Sequence, residues 1–204
     1  MANRIIGLKN IHIAPITGTD VQGFYTYGEP IKLIGAKSFT TTNEVSENAF
    51  YSDDVMDYYS KNTTSMSLEI EMAYLTPEVE SLLTGKKLIN GVLVSGSSDN
   101  AASFAIMYEM TTLEKGVRRV LYDAVLSRDE ITSTTKTDST EEQNIKLSGK
   151  CKPNPQGVFD AILDSNYIPT ETTEAAKFNK AYEAFFTIVQ TPEVIEAPAA
   201  KAVK

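Results

Sequence analysis

Residues 50–85 read FYSDDVMDYYSKNTTSMSLEIEMAYLTPEVESLLTG, and the middle of this stretch decides the fold class. Over 66–73 the apolar Met66, Leu68, Ile70 and Met72 alternate with Ser67, Glu69, Glu71 and Ala73. Side chains of a strand point alternately to its two faces, so the pattern predicts a strand buried on one side. A helix follows at once. Thr76 is placed to cap it, Pro77 suits its first position, Glu78 lies near the positive end of the helix dipole, and Gly85 closes it. Val79, Leu82 and Leu83 share one side, so a strand runs directly into a helix that can pack back on its own sheet.

Working outward, the pattern is one of consecutive antiparallel strands. Upstream, NIHIAPI (10–16) alternates and stops at Pro15. Residues 1–9 form an arm or a first strand. Residues 18–28 form a loop whose Phe24, Tyr25 and Tyr27 anchor it or meet a partner. A further strand covers 31–42 with Gly35 as a kink. Residues 43–64 show no period, and a connection of that length inside a compact domain is more often functional than idle. It is expected to be a long loop.

Downstream, LINGVLV (88–94) predicts a hairpin turning at Asn90-Gly91. A polar turn covers 96–100. Strands are predicted over 104–110 and 117–128, joined by a turn at Glu114, Lys115 and Gly116, with Val120, Tyr122, Ala124 and Leu126 on one face. The Ser/Thr-rich 132–140 is an exposed strand or a loop, and 145–151 a last strand. Residues 159–163 are apolar but of undecided type. Ala175, Phe178, Ala181, Tyr182 and Phe185 recur at helical spacing, which predicts a second helix over 174–186. The expected organisation is one domain, mainly antiparallel β, over 1–190, followed by a loose Ala/Pro-rich tail over 191–204.

The chain has 204 residues and a formal net charge of −8. Between Glu44 and Glu80 nine acids stand against the single base Lys61, so this segment alone carries −8, which predicts one negative surface. An acidic balance argues against a protein that grips nucleic acid, because phosphate binding needs clustered Lys and Arg. No apolar run reaches the roughly 20 residues that cross a bilayer, and no charged leader opens the chain; a cytoplasmic setting is expected. Cys151 is the only cysteine, so neither a disulfide framework nor a thiolate metal site is expected, and an ordinary partly buried strand position suits it.

Little catalytic chemistry is offered. His12, the only histidine, lies in a strand pattern with no nucleophile motif near it. Asp53, Asp54 and Asp57 suit a hard cation by type, but their spacing is not that of a calcium loop. No phosphate loop, dinucleotide fingerprint or zinc spacing is present. Lys115, Arg118, Arg119 and Arg128 are expected to pair with acids, including those of another copy. The expectation is no catalytic, metal or cofactor residue.

The order of these features resembles the major tail proteins of long-tailed, non-contractile bacteriophages. The resemblance spans about residues 10–189 and is carried by FYSDDV, MSLEIEMA, LTPEVESLLTG, YEMTTLEKGVRRVLYDAVLSR and CKPNPQG. It implies two antiparallel sheets packed as a sandwich or barrel with a flanking helix. It also implies six-membered rings that stack into a hollow tail tube in the virion, built in the host cytoplasm. The tube would form around a tape measure protein, with tail terminator and tail tip proteins at its ends, and conduct the genome without specific DNA binding. The loop between rings would correspond to residues 43–64, ordered only on assembly. On this reading Phe50, Tyr51, Asp53, Asp54, Tyr58 and Tyr59 are subunit contacts, and Glu69 and Glu71 face the lumen. Two other classes stay open: a monomeric or trimeric β-sandwich binding module whose tyrosines stack on a receptor or sugar, and a cation-dependent enzyme built on Asp53, Asp54 and His12.

Overall fold

The computed structural model describes residues 4–128, 130, 131, 133, 135 and 143–196. Its strands are β1 (Ile5–Thr19), β2 (Tyr25–Tyr27), β3 (Ile31–Lys32), β4 (Ala36–Ser52), β5 (Val55–Met72), β6 (Lys87–Ile89), β7 (Val92–Val94), β8 (Phe104–Thr112), β9 (Val117–Ser127), β10 (Ile145–Lys152) and β11 (Asp160–Asp164). The helices are α1 (Pro77–Thr84), α2 (Thr172–Glu183) and the short α3 (Pro192–Glu196). The main sheet runs β2-β1-β8-β9-β10-β5-β4, with β3 on β1 and β11 on β9, and each pairing is antiparallel. The fold is therefore mainly β, as expected, with flanking helices.

The sheet curls on itself. Phe39 of β4 meets Tyr108 of β8 edge-on at 4.8 Å between ring centroids. Those strands stand four places apart, which would separate them by roughly 19 Å in a flat sheet. The Arg119 guanidinium of β9 spans the same interior, donating to Asp160 at 2.6 Å, Thr41 at 3.0 Å and the Tyr108 hydroxyl at 3.2 Å. Inside the curl lies the larger core: Ile11, Ile13, Leu68, Ile70, Met72, Phe104, Ile106, Leu121, Leu147 and Cys151. The alternation read over 66–73 is what places Met66, Leu68, Ile70 and Met72 there.

Helix α1 closes this core. Thr76 accepts from the Val79 amide, Pro77 opens the helix, and Gly85 ends it at φ 74°. Leu83 is fully buried, with Val79 and Leu82 packed beside it. Glu80 is buried too, accepting from Lys86 at 2.9 Å and Arg128 at 3.0 Å. Burial raises its pKa, but the two cations outweigh that and hold the carboxyl below its ordinary value.

A second core forms on the outer face of β1, β8 and β9, where Ala105, Met107, Val120 and Tyr122 meet Ala181, Phe185 and Val189. Strand β8 is thus buried on both faces. The expected common face for Val120, Tyr122, Ala124 and Leu126 does not hold. An irregularity pairs Phe104 with Ala124 but Ile106 with Leu121, and the extra β9 residue reverses the alternation. Leu121, Ala124 and Leu126 face the inner core, while Val120 and Tyr122 face the outer one.

Other expectations resolve as follows. The undecided 159–163 falls on β11, and the second helix spans Thr172–Glu183, ending short of the expected 186 and passing into turns. Tyr25 donates to Asp123 at 2.7 Å and Tyr27 to the Tyr122 carbonyl at 3.1 Å, so these aromatics anchor their own segment. Arg118, Arg119 and Arg128 pair within the chain, with Glu109, Asp160 and Glu80, so these pairings need no second copy. Part of the tail expected to be loose forms α3, and its residues 197–204 lie outside the described residues, as does most of 132–140.

Candidate assembly arm

The segment 43–64, expected as a long loop, is instead the outer part of a backbone-paired hairpin. Cross-strand pairing of β4 with β5 continues from Ala36 opposite Met72 to Ser52 opposite Val55. The inner rungs belong to the curled sheet, since β10 stops alongside Met66. Beyond that point β4 and β5 run on as a two-stranded arm, and the eight residues from Val45 to Ser52 give it a reach of roughly 27 Å. Both faces of the arm meet solvent, which removes the selection for polar/apolar alternation and explains the missing period.

The turn at its tip is made by Asp53 and Asp54, at φ 51° and 63°. Two consecutive left-handed residues joining paired strands is the geometry of a two-residue hairpin loop, more often supplied by Asn-Gly. Asn90-Gly91 forms the same kind of turn between β6 and β7, as expected. Next to the tip, Phe50 is 63%, Tyr51 65%, Tyr58 55% and Tyr59 50% exposed. Phe50 lies opposite Tyr58, with ring centroids 5.9 Å apart, and Ala49 opposite Tyr59. Residues directly opposite in a ladder share a face, so Phe50 and Tyr58 occupy one side of the arm and Tyr59 the other. Val55 and Met56, which the sequence reading passed over, add exposed apolar surface at the same end.

At the root, one carboxylate ties three strands together. Glu44 of β4 accepts from Ser65 and Ser67 of β5, each at 2.5 Å, and from Lys150 of β10 at 3.0 Å. The two serine hydroxyls, then Lys150, hold its pKa down at about 2. Farther out, Lys61 and Glu47 sit opposite each other and pair at 2.7 Å.

The structure divides the acidic segment. Glu44, Glu47, Glu71 and Glu80 each have a cationic partner: Lys150, Lys61, Lys146 and the Lys86/Arg128 pair. Asp53, Asp54 and Asp57 make no ion pair among the described residues; Asp57 accepts only from Ser52, at 3.4 Å. The expected single negative surface is therefore divided into a partly compensated sheet face, where Glu71 and Glu44 are paired and Glu69 is not, and an uncompensated tip. Glu69 and Glu71 lie on the outer face of the sheet, opposite to the core-facing Leu68 and Ile70. Glu69 is exposed; Glu71 is half-buried, 3.9 Å from Lys146. With Lys146 and Lys150 on the adjoining strand, this face is polar and mixed in sign.

His12 hydrogen-bonds through Nδ1 with the Asn10 carbonyl at 2.9 Å and packs on Phe186 at 4.7 Å. It sits in β1 within the body while Asp53 and Asp54 sit at the arm's tip, so the three residues of the enzyme alternative are not brought together. Among the described residues no group of three His, Cys, Asp or Glu side chains is placed to hold a metal ion. Among them, too, no helix is long and apolar enough to cross a membrane. Set against protein-family models the chain matches none, and a search of curated proteins finds no match.

Proposed function

We propose that the chain is a structural protein that assembles with copies of itself through the β4–β5 arm, as a tail tube subunit does. The observation that carries this reading is the arm's chemistry. A ribbon extends past the core with aromatic side chains exposed on both faces, and its own chain does not bury them. Burying roughly 300 Å² of that apolar surface against a neighbour returns about 7.5 kcal/mol before the cost of association. Because an arm and its receiving surface are different patches, each copy can give one arm and receive another. Such head-to-tail contacts generate closed rings or open stacks.

In this reading the copies form six-membered rings that stack into a tube around a tape measure protein, with terminator and tip proteins at its ends. The tube conducts the viral genome from the virion's tail. Phe50, Tyr51, Asp53, Asp54, Tyr58 and Tyr59 are the subunit contacts. The outer sheet face bearing Glu69 and Glu71 is the candidate lumen wall. Its acids alternate with Lys146 and Lys150 and it lacks a run of unpaired cations, so it offers a duplex no site at which to stop. No catalytic step is assigned.

The test is to shorten the arm without disturbing the body. Replacing residues 46–62 by Asn-Gly leaves Val45 and Thr63, which face each other, flanking a two-residue turn. Sedimentation should then show the native chain forming large assemblies and the shortened chain remaining monomeric with unchanged thermal stability. A shortened chain that assembles like the native one would contradict the reading. A native chain that stays monomeric at every concentration would favour the binding module.

A further inference from the structure

A groove lies between α2 and α3, about 450 Å³ in volume, lined by Ala176, Ile188, Val194 and Ile195 and flanked by Lys177 and Lys180. Ile188 is 55% and Val194 45% exposed, so apolar surface is open there. Like Lys32, Lys87 and Lys115, these two lysines hold no carboxylate among the described residues, and they alone of that group flank an open apolar groove. Lys9, Lys61, Lys86, Lys146, Lys150 and Lys152 each pair with a carboxylate. Among the described residues Lys177 reaches only the Glu196 carbonyl, at 3.3 Å, and Lys180 has no side-chain partner. The arm's tip has the complementary defect: aspartates without cations beside aromatic rings without cover.

We propose that the acidic aromatic tip of the arm docks in the α2–α3 groove of a second copy of this chain. The proposal rests on the assembly reading above and adds the receiving surface to it. Tyr51, Tyr58 or Tyr59 fills the apolar floor while Asp53 and Asp54 meet Lys177 and Lys180. The apolar contact supplies most of the affinity, and the charges set register and steer the approach. The partly compensated outer sheet face is the weaker receiver, since its lysines already hold Glu71 and Glu44.

Cross-linking between separately made chains tests this. Val55→Cys places a thiol at the exposed base of the tip, and Ala176→Cys places one in the groove; Cys151 is fully buried and does not compete. Mixed under mild oxidation, the two chains should give a disulfide-linked heterodimer. Val55→Cys mixed with Val92→Cys, 62% exposed on the β6–β7 hairpin that packs against α1 at the other core, should not. Lys177→Glu with Lys180→Glu should weaken self-association about tenfold, an effect that shrinks as salt rises. If the native chain assembles while Val55→Cys links as readily to Val92→Cys, or the lysine reversal changes nothing, the groove is wrong and the assembly reading stands. If the native chain does not assemble, both are overturned.

Discussion

Lys150 of β10 donates to Glu44 of β4 at 3.0 Å across the intervening strand β5, whose Ser65 and Ser67 donate to the same carboxylate. The contact marks the place where a sheet braced on both sides becomes a free-standing ribbon. Its energetic role is local: it sets the angle and rigidity with which the arm leaves the body.

Glu44→Gln should therefore loosen the arm and leave the body intact. Amide exchange over residues 45–64 should accelerate while that of β8 and β9 is unchanged. The pH dependence has a definite sign. The folded-state pKa of Glu44, about 2, lies below the ordinary 4.5, so the node's contribution is present above about 4.5 and lost as pH falls toward 2. In the native protein, arm protection relative to the body should fall within that window, and in Glu44→Gln the step should be smaller, leaving only the part owed to the Glu47–Lys61 pair, whose carboxyl is also held below its ordinary value.

The turn is strained in a correctable way. Asp53 and Asp54 adopt left-handed backbone conformations that Asn and Gly accept more readily. Asp53→Asn with Asp54→Gly should stabilise the arm by about 1 kcal/mol, seen as roughly fivefold greater protection of the tip amides. The same change removes the two tip charges, so self-association should weaken even as the arm becomes firmer. Opposite movement of these two readouts separates the turn's structural role from its contact role.

Gly149 is required by packing. A Cβ there would collide with the Val125 carbonyl oxygen on β9, a backbone atom that cannot move aside cheaply. Gly149→Ala should destabilise the body by about 2–3 kcal/mol through overpacking, measured by urea denaturation. Gly7→Ala, where the nearest atom is 4.0 Å away, should stay within about 0.5 kcal/mol of native.

Cys151 is fully buried, and burial is the main reason its thiol is pushed up to about 11. At pH 8 a maleimide should leave the native protein unmodified and label it fully after denaturation. Rapid native labelling would mean that the β5–β10–β9 core opens.

The body was legible where one face is buried and the other wet. Met66 to Met72 and the capped 76–85 helix follow from that contrast, as does the Asn90-Gly91 hairpin from its turn chemistry. The arm was not, because two wet faces impose no alternation and Asp-Asp is an uncommon turn pair. The signal that would have found it is symmetry: Phe50-Tyr51 and Tyr58-Tyr59 flank the turn at Asp53-Asp54 in opposing strands. The chosen contact residues do sit together at the arm's end, because the turn brings 50–51 and 58–59 into register. Glu80 counts in the sequence only as one acid of the 44–80 run, since nothing local announces that Arg128 will arrive from β9's end to neutralise it. Val120 and Tyr122 changed faces for a similar reason, a one-residue irregularity that depends on the partner strand.

The most direct measurement of the central claim is electron microscopy of the purified chain, native and with residues 46–62 replaced by Asn-Gly, before and after concentration. The account predicts rings or tubes with an open channel for the native chain and single particles for the shortened one. Rings or tubes from both would show that the arm is not what joins the copies.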